Sequence, residues 1–454
     1  MSFDFWIERN SKLTSVSWLC FISNILIMGK LTNRWFGIML GLCFLLALIS
    51  ISCDKANPND YGYKVVACVP VYGQSLALGE EAVRITDFDT LRIKYDGRIV
   101  TERLDYEFGY FDYTDLRVFV RRLFRIHNKS YELSAYGMAE DLVNKLGEDT
   151  IVCIFPGGQG LTDIEGMVKG TEPYSRFLEN IVRAYNESQK RKWHFYIPAI
   201  CWMQGESDIV DYPKTDYRKL LKQFSIDINQ DIKSITHQKE DVKIVCYQTS
   251  ALAKGWYFKP NNYYGTEAVP STQQMELIRD DSMFWASGPT YPYSFVNENL
   301  HIDGLSQNLH GHLAAKSVLG IIRNEKRIVG LLPNKAEIHD STIRIHFNVP
   351  CPPLKFDTSL VKKISNYGFS VVRKDCTDIV SNVEIHGDTL IVKCNESPIG
   401  CRLRYGVNGE YMHSGNRFGA RGNLRDSYGD EHAALVHGKS FPLYHWCYIF
   451  DIGL

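Results

Sequence analysis

Residues 64–81 read KVVACVPVYGQSLALGEE. The opening of this stretch is apolar at nearly every position, broken only by Pro70, and a glycine and polar residues follow it at once. A run without apolar–polar alternation suits a strand covered on both faces, the kind found in a parallel sheet packed between helices. Three further runs have the same character: TIVCIFP (150–156), YIPAICWMQ (196–204) and KIVCYQTS (243–250). Each run carries one cysteine (Cys68, Cys153, Cys201, Cys246), a small side chain that fits a crowded sheet and reads as packing rather than ligation. Between the runs lie stretches of helical period. Phe177, Ile181 and Ala184 recur in 174–190, Leu220, Leu221, Phe224 and Ile228 recur in 217–233, and a third such stretch spans 307–323. Strand alternating with helix predicts an α/β domain, a doubly wound parallel sheet over residues 61–325.

The rhythm changes after Arg327. TIRIHFNVP (342–350), GFSVVRK (368–374), SNVEIHGDTLIVKC (381–394) and CRLRYGV (401–407) alternate or are β-branched, and the turn signals HGD and NGE separate some of them. These features predict a smaller all-β, sandwich-like domain over 330–454, with the junction at Leu331–Lys335. The polar, glycine-rich stretch 417–430, with Arg417, Arg421, Arg425 and Asp426, reads either as a substrate-reaching loop or as a buried ion-pair network between domains.

At the amino end, residues 35–52 form an uncharged apolar run preceded by Lys30 and Arg34 and followed by Cys53. Basic flank, apolar stretch, small residues and then a cut is the layout of an export signal, here ending at a cysteine suited to lipidation as in bacterial lipoproteins. The expected organisation is an export segment over 1–53, with 1–27 readable as an extension ahead of a start at Met28, and a polar tether over 54–60. An uncut membrane anchor is the alternative. Either way the body is expected to be exported to the cell envelope, with the membrane touched only through Cys53 or the anchor.

The chain has 454 residues, 45% of them hydrophobic and 13% aromatic, which is enough for a large core and too apolar for disorder. With 51 basic and 52 acidic residues the net charge is -1, so long-range attraction to nucleic acid or an anionic surface is not expected. Of 12 cysteines, nine follow Cys53 without a CxxC pair or zinc-like spacing, so no metal and no cofactor is expected. In an exported protein Cys351, Cys376, Cys394, Cys401 and Cys447 are permitted to form bridges.

The chemistry-bearing residues cluster just past the apolar runs, where ligands bind in open α/β sheets. Ser75 follows the first run, and Gly73 allows the tight turn that would present its hydroxyl. A serine that caps the next helix is the alternative. The second run ends FPGGQGLTD, where Gly157, Gly158 and Gly160 free backbone N–H groups to face a ligand, without the lysine of a phosphate loop. The third ends ICWMQGESD. There Gln204 carries an amide suited to a developing oxyanion, worth roughly 3 kcal/mol per donor, with Trp202 placed to pack beneath. Late in the chain, ENLHIDGLSQNLHGH puts His301 three residues after Glu298, close enough in a turn for a carboxylate to orient an imidazole. His310 and His312 are two apart at a helix start, so their side chains diverge and read as structural. Tyr174, Trp256, Tyr257, Tyr263 and Tyr264 read as sugar-stacking or as packing aromatics.

YGQS, WMQGESD and the ENLH element, in that order, resemble the SGNH hydrolase superfamily, and within it the sialate O-acetylesterase-like branch of carbohydrate esterases, over about 65–322. The resemblance implies a flavodoxin-like sheet and a serine esterase. Ser75 would be the nucleophile, His301 the base, and the Ser75 N–H, a glycine of the second run (Gly158 ahead of Gly157 and Gly160) and Gln204 the oxyanion hole. The family's DxxH aspartate is here Glu298, which the resemblance makes the third catalytic group; Glu206 or Asp303 is the alternative orienting residue, and a Ser–His dyad another. Leu76 stands where the branch often has asparagine. The implied reaction removes O-acetyl groups from a glycan through an acetyl-serine. The competing readings are an esterase of non-glycan acyl esters on the same fold and an inactive glycan-binding surface lipoprotein.

Overall fold

The computed structural model describes residues 65–101, 131–210, 216–250, 269–410 and 413–454. The export segment 1–53, the tether 54–60, Trp256, Tyr257, Tyr263 and Tyr264 lie outside the described residues.

The first apolar run is one strand line broken by Pro70 into β1 (Val65–Cys68) and β2 (Val71–Gly73). After the two-residue β3 (Ile99–Val100), the second run breaks the same way into β4 (Thr150–Cys153) and β5 (Pro156–Gly158). The third run follows as β6 (His194–Tyr196) and β7 (Ala199–Met203). Backbone bonds carry the lines across the breaks: Val71 N donates to Phe155 O (3.0 Å) and Cys201 N to Pro70 O (3.0 Å). With β8 (Lys243–Gln248) and β9 (Phe284–Pro289) the pairing is parallel throughout, in the order β3, β4/β5, β1/β2, β6/β7, β8, β9. The first line is therefore flanked by the second on one side and the third on the other. That reversal is the switch point at which such sheets bind ligands, and Ser75 emerges there.

Both faces are covered, as the unbroken apolar runs require. Val66, Cys68 and Tyr72 face one core, which takes in Phe177 and Ile181 of α3 (Glu172–Lys190) and Leu221, Phe224 and Ile228 of α5 (Tyr217–Thr236). Val69 and Val71 face the other core, built from α2 (Ser134–Lys145) and α7 (Gly304–Ile322). Each such side chain contributes about 1.5–3 kcal/mol by leaving water. The remaining described helices of the parallel-sheet part are α1 (Phe88–Tyr95), α4 (Glu206–Val210) and α6 (Val269–Asp280).

From Leu332 onward the strands are antiparallel. One sheet joins β10 (Leu332–His339), β11 (Thr342–Asn348), β15 (Thr389–Cys394) and β14 (Val380–His386); the turn between β14 and β15 is the Gly387–Asp388 pair of the HGD signal. A second sheet joins β13 (Phe369–Val372), β16 (Arg402–Tyr405) and β20 (Phe450–Gly453). Two ribbons complete it: β12 (Lys355–Phe356) with β17 (Leu424–Arg425), and β18 (Ala433–Val436) with β19 (Lys439–Pro442). Ile343, Ile345, Val371 and Leu403 belong to the same continuous core as the strands of the parallel sheet, and residues 62–454 form one compact unit. A buried amide sews the parts together. Gln248, at the end of β8, donates to Ile449 O and accepts from Ile449 N, each at 2.8 Å.

The stretch 417–430 is a packed network rather than a reaching loop. Arg425 pairs with Asp357 at 2.8 Å, and Arg421 donates to Lys362 O and Gly419 O. Asp426 accepts from His445 Nδ1 at 2.6 Å, and His445 Nε2 meets Lys316 Nζ of α7 at 2.9 Å. All nine cysteines among the described residues are free thiols. No helix among them is long and apolar enough to cross a membrane.

Candidate active site

Beyond β2 the chain makes a compact turn over Gln74–Glu81. The Gln74 carbonyl accepts from Ala77 N, and the Ser75 carbonyl accepts from Leu78 N (3.1 Å) and Glu80 N (3.0 Å). Ser75 is thus not the cap of a long helix but the first residue of a knot that returns at once to the same strand end. Two glycines allow this. A Cβ on Gly73 would lie 1.9 Å from Met203 O, and one on Gly158 (φ 116°) would lie 1.8 Å from Gly73 O. The register pairs Gly73 with Gly158 and with Met203, which brings the ends of all three motif-bearing lines together. Gln74 adds a tie, its Oε1 facing Gly205 N and Ser207 N at 3.4 and 3.3 Å.

His301 arrives from the far end of the chain. It lies between a short 3-10 turn (Val296–Glu298) and α7, in a loop pinned by Val296 N donating to His301 O at 2.7 Å. Its Nε2 lies 2.7 Å from Ser75 Oγ, and its Nδ1 lies 2.8 Å from Glu81 Oε2. A carboxylate on Nδ1 holds that nitrogen as the donor and leaves Nε2 as the acceptor for the serine proton. Glu81 has a left-handed backbone (φ 62°), a conformation that side-chain-bearing residues hold only where the surroundings enforce it.

The group behind the ring therefore differs from the expected one. Glu298 is not on His301. Asn297 and Glu298 are left-handed (φ 51° and 57°), and the Glu298 carboxylate lies 3.8 Å from His413 of the β-rich part. Asp303 is occupied as the N-cap of α7, accepting from Ser306 N at 2.9 Å. Glu206 is buried and accepts from Tyr247 Oη and Thr249 Oγ1, so it braces β8 against the third strand end. Burial raises the Glu206 carboxyl above its usual range, while the Tyr247 hydrogen bond opposes the rise. The GEE that closes the opening stretch was the available signal for Glu81, but nothing local ties it to a histidine 220 residues away.

Gln204 also departs from expectation. Its Nε2 donates to Thr162 O (3.2 Å) and to Asp208 Oδ2, and its Oε1 is buried without a donor among the described residues. Both amide hydrogens are committed, so this arrangement offers an oxyanion no proton from Gln204. The Ser75 N–H and the Gly158 turn remain at the strand end. Trp202 packs below as expected, its Nε1 donating to Tyr217 Oη at 3.0 Å, which in turn donates to Gln204 O at 2.7 Å.

A second carboxylate faces the ring. Glu80 Oε2 lies 3.8 Å from His301 Nε2. Burial raises its carboxyl, His301 opposes the rise and Glu81 adds to it. The Tyr131 hydroxyl is pushed up first by burial and then by both glutamates. His310 sits between Ser134 and Ser287 Oγ atoms, held neutral by burial that lowers it to about 4, and His312 faces Asp141. Tyr174 is buried and donates to Asp231, so it packs the core rather than facing a sugar.

Sheet order and strand-end geometry define a doubly wound α/β module with its chemistry-bearing side chains gathered at the switch point. Residues 134–319 match the family model described as carbohydrate esterase, sialic acid-specific acetylesterase, and the chain is a carboxylic ester hydrolase. The match takes in Gly158, Gln204 and His301; Ser75 and Glu81 lie ahead of it. A carbohydrate acetylesterase from Xanthomonas citri has the same fold at 13% identity and a TM-score of 0.55, covering 85% of this chain and 80% of that one. Coverage on that scale extends into the antiparallel strands. A protein from Arabidopsis thaliana (17% identity, TM-score 0.39) covers 57% of this chain and 98% of its own. NanS (12%, 0.36) covers 58% and 98%. Comparison with curated protein sequences gives no match.

Proposed function

We propose that this protein is a serine esterase that removes O-acetyl groups from an acetylated carbohydrate. The observation that carries the reading is the chain of contacts from Ser75 Oγ through the His301 ring to Glu81, at 2.7 and 2.8 Å. Ser75 attacks the ester carbonyl while Nε2 takes its proton. The oxyanion forms against the Ser75 N–H, with the glycine turn at Gly158 as the second donor. His301 then returns the proton to the sugar oxygen, the C–O bond breaks and an acetyl-serine remains. Water, deprotonated by the same nitrogen, adds to the acyl carbon; acetate leaves and Ser75 regains its proton. General-base help of this kind contributes about 10²–10⁴-fold in rate. The match to a family of carbohydrate esterases, together with the likeness to the Xanthomonas citri carbohydrate acetylesterase, supports an acetylated sugar as substrate. We further propose, from the apolar run before Cys53, that the enzyme is exported and lipid-anchored at that cysteine.

Acetate release from acetylated xylan, pectin and sialic acid, set against 4-nitrophenyl acetate, tests the reading. Ser75→Ala is expected to abolish release from every ester while the thermal transition stays in place. Persistence of release in that variant refutes the serine mechanism, and hydrolysis of aryl acetate alone favours the non-glycan alternative. A wild-type protein that binds glycans without cleaving them favours the inactive lipoprotein.

A further inference from the structure

Glu80 has no assigned task in the relay above. It is fixed tightly, its N–H donating to the Ser75 carbonyl at 3.0 Å. Its side chain is 24% exposed and has no hydrogen-bond donor among the described residues. Its Oε2 lies 3.8 Å from His301 Nε2, the nitrogen that must deliver a proton to the departing oxygen. Gly160 runs close to the same carboxylate: a Cβ there would sit 3.3 Å from Glu80 Oε1 and crowd it. A mostly buried carboxylate without a donor is costly and persists where a ligand supplies the missing donor. Burial raises the carboxyl, which fits a group awaiting that donor.

We propose that Glu80 selects the leaving group: its carboxylate accepts a hydrogen bond from a free hydroxyl on the carbon next to the esterified one. This inference rests on the reading of the site as a carbohydrate esterase. The departing oxygen must come within hydrogen-bond reach of Nε2. In a sugar the vicinal hydroxyl lies beside that oxygen, which brings it toward Oε2. The enzyme would then favour acetyl esters of diols over simple acetyl esters, and would disfavour sugars whose neighbouring hydroxyls are all substituted.

The experiment uses the wild-type protein and Glu80→Gln on three probes: monoacetylated methyl glycosides with free neighbouring hydroxyls, the same compounds with those hydroxyls capped as methyl ethers, and 4-nitrophenyl acetate. A hydrogen bond to a charged acceptor predicts a wild-type preference of about 10–100-fold in kcat/KM for free over capped sugar. Glu80→Gln is expected to erase that preference; because it also removes a charge 3.8 Å from His301 Nε2, it should lower kcat/KM on all three probes alike by about 10-fold, so the readout is the ratio of free to capped sugar. Absence of a preference in the wild type overturns the inference without needing the variant. So does a Glu80→Gln variant that keeps the wild-type ratio of free to capped sugar, which would mean that the carboxylate acts only through His301. If the wild type hydrolyses none of the probes, the esterase reading itself fails; if hydrolysis is lost in Ser75→Ala but shows no free-hydroxyl preference, only the role of Glu80 fails.

Discussion

Replacing Glu81 by glutamine keeps the shape of the side chain and removes its charge. The pair it forms with the imidazolium of the transition state spans 2.8 Å. Coulomb's law at that separation gives about 1.5 kcal/mol at the dielectric constant of water and about 6 kcal/mol at an effective constant of 20. The Glu81 side chain is 56% exposed, so screening places the pair near the lower figure. The expected loss in kcat is therefore about 10–100-fold. A fully buried triad carboxylate is worth much more, about 10⁴-fold. Glu298→Gln, by contrast, touches a residue that faces His413 and should leave kcat within about threefold of wild type, since exposed pairs contribute little. Initial rates of acetate release at saturating substrate measure both. A Glu298 variant more damaged than the Glu81 variant, or a Glu81 variant with wild-type kcat, refutes the assignment of the carboxylate to the serine turn.

Two stability predictions concern buried charge. The Asp451 side chain is fully buried between Arg402 (2.6 Å) and Arg404 (3.0 Å), so Asp451→Ala removes the carboxylate that two guanidinium groups share and should cost about 3 kcal/mol in urea unfolding; a loss below about 1 kcal/mol refutes the network's role. Burial lowers the Lys316 ammonium to about 8, with Asp426 opposing and His445 and the Tyr428 ring beside it. The folded protein sheds this proton near pH 8, whereas an unfolded lysine keeps it to its ordinary value of 10.5, so the unfolded state binds more protons between the two. The penalty for the buried charge is thus fully present below pH 8 and fades as pH rises toward 10.5, adding stability with pH. Urea midpoints of wild type minus Lys316→Met should rise across that window, and a flat difference refutes it.

Some of this protein was legible without any tertiary information. The apolar runs around Cys68, Cys153, Cys201 and Cys246 announce a doubly covered parallel sheet because burial on both faces leaves no position for a polar residue. Their polar endings mark the ligand-binding edge, and Ser75 and His301 stand out there through residue type and motif. The antiparallel strands after Leu332 were legible for the complementary reason, alternation and turn pairs such as Gly387–Asp388.

The partners of the chemical groups were decided by the fold. Glu298 is the sequence neighbour of His301 and loses it, because two left-handed residues turn the loop toward His413. Glu81 gains it across 220 residues because sheet order brings the Ser75 turn and the α7 entrance to one strand end. The Gln204 amide is spent on Thr162 and Asp208, acceptors supplied by a neighbouring loop and by the next helical turn. Residue identity sets which bonds a side chain is able to make and the local period sets which face it lies on. Which of the possible partners it meets depends on strand order and loop direction, since hydrogen bonds act only over a few ångströms of space, whatever the distance along the chain.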